Sequence, residues 1–122
     1  MMKLGFSTNA FTNRTLNSAI TTISKTGYDG IELVVDSPHC FLPINHDNIK
    51  NIKKDLEQNN LEVSNLNSNT VVGWYQNKKF SEKFEPSLSN KNSTLRNWRI
   101  SYTKKTIDLA VELNAPSICI TS

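Results

Sequence analysis

The chain has 122 residues, 37% of them apolar and 20% charged, which is typical of one globular domain over 1–122 and excludes a disordered or fibrous chain. The net charge of +3 comes from Lys and Arg residues scattered along predicted helices, whereas nucleic-acid binders concentrate basic charge. No apolar run approaches the ~20 residues that cross a bilayer, and the start lacks a signal peptide's apolar core. Cys40 and Cys119 form no CxxC pair, so we expect a cytoplasmic protein without a disulfide.

Alternating apolar and polar residues predict a first strand over 3–8. The first helix is predicted from apolar residues at helical spacing, which are Leu16, Ala19, Ile20 and Ile23. Thr15 is the expected N-cap of this helix, and Gly27 the residue that ends it. A near-continuous apolar run over 30–36 predicts a second strand covered on both faces.

The second half of the chain continues the alternation of predicted strands and helices. Asp47 is the expected cap of a second helix that carries Ile49, Ile52 and Leu56 and ends at 59–60. A third strand is predicted over 61–67. Ser93 is the expected cap of a third helix, whose buried stripe comprises Leu95, Trp98, Tyr102, Leu109 and Leu113. Asn114 and Pro116 end it, and a fourth strand follows over 117–121.

Four strands alternating with three helices (β-α-β-α-β-α-β) predict an α/β fold with a parallel sheet. The connections that follow strands are long, over 9–14, 37–46 and 70–92, whereas those that precede strands are short. Long loops therefore gather at the carboxyl ends of the strands, where α/β folds bind ligands. This pattern predicts the N-terminal half of a (β/α)₈ TIM barrel. The longest loop is expected to be functional and to pack through its aromatic residues, which are Trp74, Tyr75, Phe80 and Phe84.

Two residues at the second strand, Glu32 and His39, are candidates for a functional role. His39 follows Asp36 in a DSPH segment at the strand's exit, where it is equally suited to act on a ligand or to cap a backbone carbonyl. Glu32 interrupts an apolar strand, and a buried carboxylate requires a partner. It either anchors a substrate hydroxyl inside the barrel or pairs with a neighbouring strand, and the second alternative is slightly favoured.

Asn65, Asn67 and Asn69 alternate along the third strand, which places them on one face. Their amides suit sugar hydroxyls, although asparagine is common throughout the chain. Trp74 either lines a ligand or belongs to the loop's own small core. Two His and two Cys match no zinc-finger spacing, so no metal site is predicted.

The segments LGFSTNAF, TGYDGIEL and EVSNLNSNT resemble sugar phosphate isomerase/epimerase-like proteins of the xylose isomerase-like barrel superfamily. The segments DSPHCFLP, FEPSL and LRNWRISYTKKTIDLA are similar to one subgroup. The superfamily also contains the endonuclease IV type of apurinic endonuclease. Members of that branch usually carry a histidine on the first strand, where this chain has GFSTNAF, so the endonuclease is the less favoured relative.

The resemblance implies a barrel that isomerises or epimerises a sugar or polyol with a divalent metal held by its second half. This chain is then a truncated member, inactive alone and without a metal of its own. The alternative is a non-enzymatic half-barrel that binds a partner. The resemblance implies that six residues contribute to substrate binding, which are Asn9, Phe11, Glu32, His39, Asn67 and Asn69. Trp74 is a further candidate because it lies in the longest loop.

A half-barrel has two unpaired sheet edges, at its first and fourth strands. We also expect its inner face to be exposed and apolar. Both expectations predict self-association or pairing with a complementary half-barrel.

Overall fold

The computed structural model describes residues 1–76 and 85–120. The strands are β1 (Gly5–Ser7), β2 (Gly30–Val34), β3 (Glu62–Asn67) and β4 (Ile118–Cys119). The helices are α1 (Leu16–Lys25), α2 (His46–Gln58), α3 (Val72–Tyr75) and α4 (Ser93–Glu112). A 3₁₀ turn (Thr8–Phe11) follows β1. No helix in the described part of the chain is long and apolar enough to cross a membrane.

The four strands form one parallel sheet in the order β1-β2-β3-β4. The predicted α/β fold with four parallel strands is confirmed. One face of the sheet carries α1, α2 and α4, and the hydrophobic core lies between them. Ile31, Leu33 and Leu66 supply its strand side and are completely buried, while Ile20 and Leu109 belong to its helix side.

Helix ends follow from local side-chain chemistry. Thr15 caps α1 as predicted, since its side chain accepts the Ser18 N–H, and Gly27 follows the helix with a φ of 96°, which suits glycine. The prediction that Asp47 caps α2 is wrong. Asn45 caps it, because its Oδ1 accepts the Asn48 N–H at 2.8 Å.

The prediction of Ser93 as the next cap is also wrong, by one residue: Asn92 accepts the N–H groups of Thr94 and Leu95. Asn60 and Asn114 lie in the left-handed region, with φ values of 51° and 52°. Asparagine tolerates this conformation, so both predicted helix ends are confirmed.

The sequence did not indicate two short elements, the 3₁₀ turn and α3. Both lie in the long connections that leave the carboxyl ends of β1 and β3. Phe80 and Phe84, expected to pack the longest loop, lie outside the described residues, as does Thr121 at the end of the predicted fourth strand.

A bulge in β3 determines which of its side chains face the helices. Ile31 pairs with Val63, but the next residue of β2, Glu32, pairs with Asn65. Ser64 is therefore an extra residue, and the alternation of faces changes at that point. Val63 and Leu66, three residues apart, both point into the core, and Asn65 points to the opposite face of the sheet.

Candidate functional site

A hydrogen-bonded row of polar side chains crosses the first three strands and reaches the residue before β4, on the face opposite the helices. Ser7 donates to Glu32 Oε1 at 2.9 Å, and Asn65 Nδ2 donates to Glu32 Oε2 at 2.9 Å. Ser117 donates to Asn65 Oδ1 at 2.9 Å. We call Ser7, Glu32, Asn65 and Ser117 the inner row.

The inner row explains why a carboxylate is tolerated within an apolar strand. Each oxygen of the half-buried Glu32 accepts a hydrogen bond from a neighbouring strand, which offsets the cost of removing it from water. The alternative in which Glu32 pairs with a neighbouring strand is thus what the structure shows. The inner row is polar, so the expectation of an apolar inner face is wrong at this level of the sheet: the apolar residues of β2 face the helices.

Asp36 organises the loops that leave β2 and β3. Its buried carboxylate accepts the Thr70 hydroxyl at 2.7 Å and the Gly73 N–H at 2.7 Å. It also accepts the N–H groups of Val71 and Val72, which belong to the start of α3. A carboxylate at that position satisfies N–H groups that a helix leaves unpaired. Asp36 therefore acts as the anchor of the segment that follows β3.

Arg99 of α4 holds the same segment from the other side. Its guanidinium donates to the backbone carbonyls of Ser68, Thr70 and Pro86, and only 3% of the residue is exposed. Burial lowers the pKa of Arg99, while Tyr102 and Asp36 act in the opposite direction. The three carbonyls replace the water that the charge loses.

Tyr102, one turn further along α4, fixes the loop after β2. Its hydroxyl donates to the Val35 carbonyl at 2.7 Å and accepts the Leu42 N–H at 3.2 Å. Burial raises the pKa of Tyr102 to about 12. Arg99 and Tyr102 together attach both long exit loops to one helix.

His39 caps backbone carbonyls, which is one of the two roles predicted for it. Its Nε2 lies 3.0 Å from the Phe11 carbonyl and 2.9 Å from the Arg14 carbonyl. Because carbonyls only accept, Nε2 carries the proton. Phe11 is half-buried with its ring against Phe6, and Asn9 is exposed, its N–H donating to Ser7. His39 thus joins the exits of β1 and β2, and a ligand-binding role for these residues stays a prediction.

Asn67 and Asn69 form a second polar group at the carboxyl end of β3. Asn67 Oδ1 accepts the Asn69 N–H at 3.1 Å, and Asn69 Nδ2 lies 3.8 Å from Cys119 Sγ. Asn65 and Asn67 alternate within β3, whereas Asn69 lies beyond the end of the strand. Asn67 is two residues further along β3 than Asn65 and pairs with Val34 and Cys119.

Trp74 lies on the helix side. Its ring packs against Trp98 at a tilt of 50° with a centroid separation of 4.2 Å, and Trp98 lies 5.0 Å from the Tyr102 ring. Gly73 permits the close approach of Phe41, since a Cβ there would lie 2.1 Å from that ring. Trp74 therefore packs on α4, on the side of the sheet away from the inner row, and its predicted role beside a ligand stays a prediction.

Sequence reasoning missed several residues that organise this face. The sequence did not indicate Ser7, which is in register with Glu32, or Ser117, which precedes β4 and bonds Asn65. Arg99 and Thr70 were also missed. A signal existed for Arg99, since it lies at helical spacing from Leu95 and Tyr102 and is a charge within an apolar stripe.

A groove of about 810 Å³ opens at the other end of the sheet, the amino end of the strands. Its charged rim is paired internally, through Lys3 with Glu62 at 2.7 Å and Lys53 with Glu112 at 3.1 Å. The partners are well exposed, so these pairs contribute little energy. The convergent polar groups instead lie across the inner face and at the exit loops, which we take as the candidate site.

The described residues do not form a metal centre. Across 1–76 and 85–120, no three His, Cys, Asp or Glu side chains converge as ligands. The two acidic residues near the exits of the strands, Glu32 and Asp36, already use both carboxylate oxygens for hydrogen bonds. The residues present therefore do not fit a divalent ion, and no chemical step is derived through one.

Solved structures that are similar to this chain include two sugar epimerases and a probable dehydratase. The chain is similar to 3-keto-D-glucoside 4-epimerase (YcjR) from E. coli, with a TM-score of 0.65 and 15% identity over 98% of this chain. It is also similar to a D-psicose 3-epimerase, with a TM-score of 0.65 and 15% identity over 96% of the chain. The probable 3-DHS dehydratase AsbF from Bacillus anthracis gives a TM-score of 0.57 and 15% identity over 96%. At this identity the likeness establishes the fold.

The chain spans only 38%, 36% and 37% of the lengths of these three proteins, respectively, consistent with half of a barrel. No curated protein sequence matches it. The sequence profile described as xylose isomerase-like TIM barrel matches residues 20–121, which is most of the chain. The chain therefore belongs to the xylose isomerase-like TIM barrel family.

Proposed function

We propose that this chain forms the first half of the substrate pocket of an isomerase or epimerase that acts on a sugar or polyol. The observation that carries the proposal is the inner row, which runs from β1 to the residue before β4 with amide, hydroxyl and carboxylate groups. Such groups both donate and accept, as polyol hydroxyls require. Two of the structurally similar proteins are sugar epimerases, which favours the same substrate class.

The proposal divides the work between this half and a second half of the barrel. The inner row and the Asn67–Asn69 group bind and orient hydroxyls, and the exit loops held by Asp36 and Arg99 border the pocket. A divalent metal, where a complete barrel holds one, polarises the oxygens beside the carbonyl. Because the described residues do not fit such an ion, the chain alone has no metal-dependent turnover. The free thiols favour a reducing, cytoplasmic location.

Binding is tested by titrating ¹⁵N-labelled chain with D-fructose, D-psicose or methyl glucoside and recording amide spectra. We expect saturable shifts at the inner row, including the Asn65 side-chain amide. Glu32→Gln replaces one accepting oxygen with a donor and should weaken binding about tenfold, the loss of one hydrogen bond to a charged group. Glu62→Gln is the matched control, because Glu62 lies on the same sheet but pairs with Lys3 at the amino end. Shifts confined to other residues, or equal binding by both variants, would refute the proposal.

Turnover is tested separately with D-fructose or D-psicose and added Mg²⁺, Mn²⁺ or Co²⁺. We expect no incorporation of deuterium from deuterated water at the carbon beside the carbonyl. Turnover by the pure chain that chelation abolishes would contradict the proposed division of work.

The second candidate is a non-enzymatic half-barrel that binds a partner. The two open edges of the sheet, at β1 and β4, favour it. The candidates differ in one measurement: a barrel completed by a second half should bind sugar more tightly than the chain alone if the pocket is a substrate site, and equally if it is only an assembly surface.

A further inference from the structure

Exposed apolar side chains concentrate at the two edges of the sheet. Nine large apolar residues of the described chain are exposed: Met1, Met2, Leu4, Phe6, Val72, Ile100, Ile107, Val111 and Ile120. The first four belong to β1 and the residues before it. The last four lie on one stripe of α4, since 100, 107 and 111 share a helix face, and at the residue that follows β4. Scattered apolar residues are normal on a surface, whereas grouped ones mark an interface.

The backbone at both edges is also unpaired. Among the described strands, β1 pairs only with β2, and β4 only with β3. All pairs are parallel, so the free edge of β4 has the direction needed to accept the free edge of a β1 strand. An exposed edge of this kind recruits another strand.

The apolar groups of the two edges lie at the same end of their strands. Met1, Met2 and Leu4 precede β1 and lie at its amino end. Ile107 and Val111 lie in the last turns of α4, which leads back to the amino end of β4, and they share a groove with Ile118. We call this groove, lined by Ile107, Ala110, Val111, Ala115 and Ile118, the edge groove. A β1 strand added beside β4 would bring its Met1–Leu4 segment to the edge groove.

We propose that a second copy of this chain occupies both edges, with β1 of each copy beside β4 of the other. Four strands are half of the eight that close a TIM barrel, so two copies joined in this way close a ring with two-fold symmetry and leave no free edge. The apolar Met1–Leu4 segment of each copy covers the edge groove of its partner. The inference does not depend on the substrate class proposed above, because it rests on the edges alone.

The test is the mass of the 122-residue chain by size exclusion with light scattering across the micromolar range. We expect twice 13.8 kDa, with hydrogen exchange at Gly5–Ser7 and Ile118 slowing as the dimer forms. Ile107→Lys adds a charge to the edge groove and should raise the dimer dissociation constant at least tenfold. Val72→Lys is the matched control, because Val72 is equally exposed at 48% but lies away from both edges, and it should dimerise as the parent does.

Three results would overturn the proposal. A monomer at all concentrations would leave the edges to a different, complementary half-barrel. An open series of higher oligomers would show that the contact does not close. A dimer that Ile107→Lys leaves intact, while the variant retains the parent's circular dichroism, would place the interface elsewhere.

Discussion

Arg99 and Asp36 bind the same residue, Thr70, from two directions. The Asp36 carboxylate accepts the Thr70 hydroxyl at 2.7 Å, and the Arg99 guanidinium donates to the Thr70 carbonyl at 2.7 Å. Asp36 follows β2 by two residues and Arg99 belongs to α4, so this arrangement joins the exit of β2, the segment after β3 and α4. The loop after β3 is therefore held by buried polar groups as well as by apolar packing.

Asp36→Asn should destabilise the chain by about 3 kcal/mol, because an amide has one accepting oxygen and turns its NH₂ toward N–H donors. The expected local effect is at α3, whose first N–H groups lose their acceptor, so Trp74 fluorescence should change. Urea unfolding measures the first quantity and emission spectra the second. Asp108→Asn, at an exposed position of α4, is the control and should alter neither.

Replacement of both partners should cost less than the sum of the single replacements. Arg99→Met leaves three buried carbonyls without donors and is expected to cost about 3 kcal/mol alone. Asp36→Asn with Arg99→Met disrupts a segment already loosened by either change, so we expect a coupling of about 1 kcal/mol or more. Strict additivity in a double-mutant cycle would show that the two residues hold Thr70 independently.

Tyr102→Phe should cost about 1–3 kcal/mol, since the Val35 carbonyl and Leu42 N–H both lose a buried partner. Urea unfolding gives the value. Tyr28→Phe is the comparison, because the half-buried Tyr28 packs its ring on Phe6 and its hydroxyl has no recorded partner among the described residues. A cost for Tyr102→Phe no larger than that for Tyr28→Phe would contradict the role assigned to its hydroxyl.

The two thiols should react at different rates. Cys40 is 1% exposed, and burial raises its pKa to about 12, so the native thiol stays protonated and unreactive at pH 8. Cys119 is half-buried at the edge strand. A disulfide reagent should therefore label one thiol in the native chain and two after unfolding, and Cys119→Ser should remove the native reaction. Rapid labelling of Cys40 in that variant would be inconsistent with the structure.

Cys40 should also make stability fall at alkaline pH. The unfolded thiol ionises near ~8.5, whereas burial holds the native pKa at about 12. The resulting stabilisation is complete below the unfolded pKa and is lost as pH rises toward 12. Between pH ~9 and ~11, Cys40→Ala should make the decline in unfolding free energy shallower by about 1.36 kcal/mol per pH unit. If the unfolding free energies of the parent and of Cys40→Ala, measured with urea, fell equally steeply with pH, the result would contradict the burial of Cys40.

The sequence predicted the order and type of the main elements because each has its own local signal. The apolar run of β2, the helical spacing in α1 and the left-handed Asn60 and Asn114 are examples. Cap positions were predicted less well, because several residues near each helix start can accept an N–H. Asn45 precedes Asp47 by two residues, and local sequence does not show which of them takes the capping conformation.

The candidate site was harder to predict than the fold. Glu32 was recognisable as a carboxylate in an apolar strand, but its partners come from β1 and β3 and depend on register. Trp74 and His39 each had two predicted roles, between which local sequence could not decide. The structure shows the contact of Trp74 with Trp98 and of His39 with backbone carbonyls, and ligand binding by either residue stays a prediction. The contacts of such side chains depend on residues that are distant from them in the sequence.

The extra residue Ser64 in β3 has a consequence for how this strand can evolve. Deletion of Ser64 would place Asn65 directly after Val63 and restore strict alternation, so Val63 and Leu66 would stay in the core and Asn65 and Asn67 on the opposite face. Deletion of Leu66 would instead place Asn67 directly after Asn65 and turn it to the core face. Selection should therefore tolerate loss of the bulge and exclude other length changes within this strand.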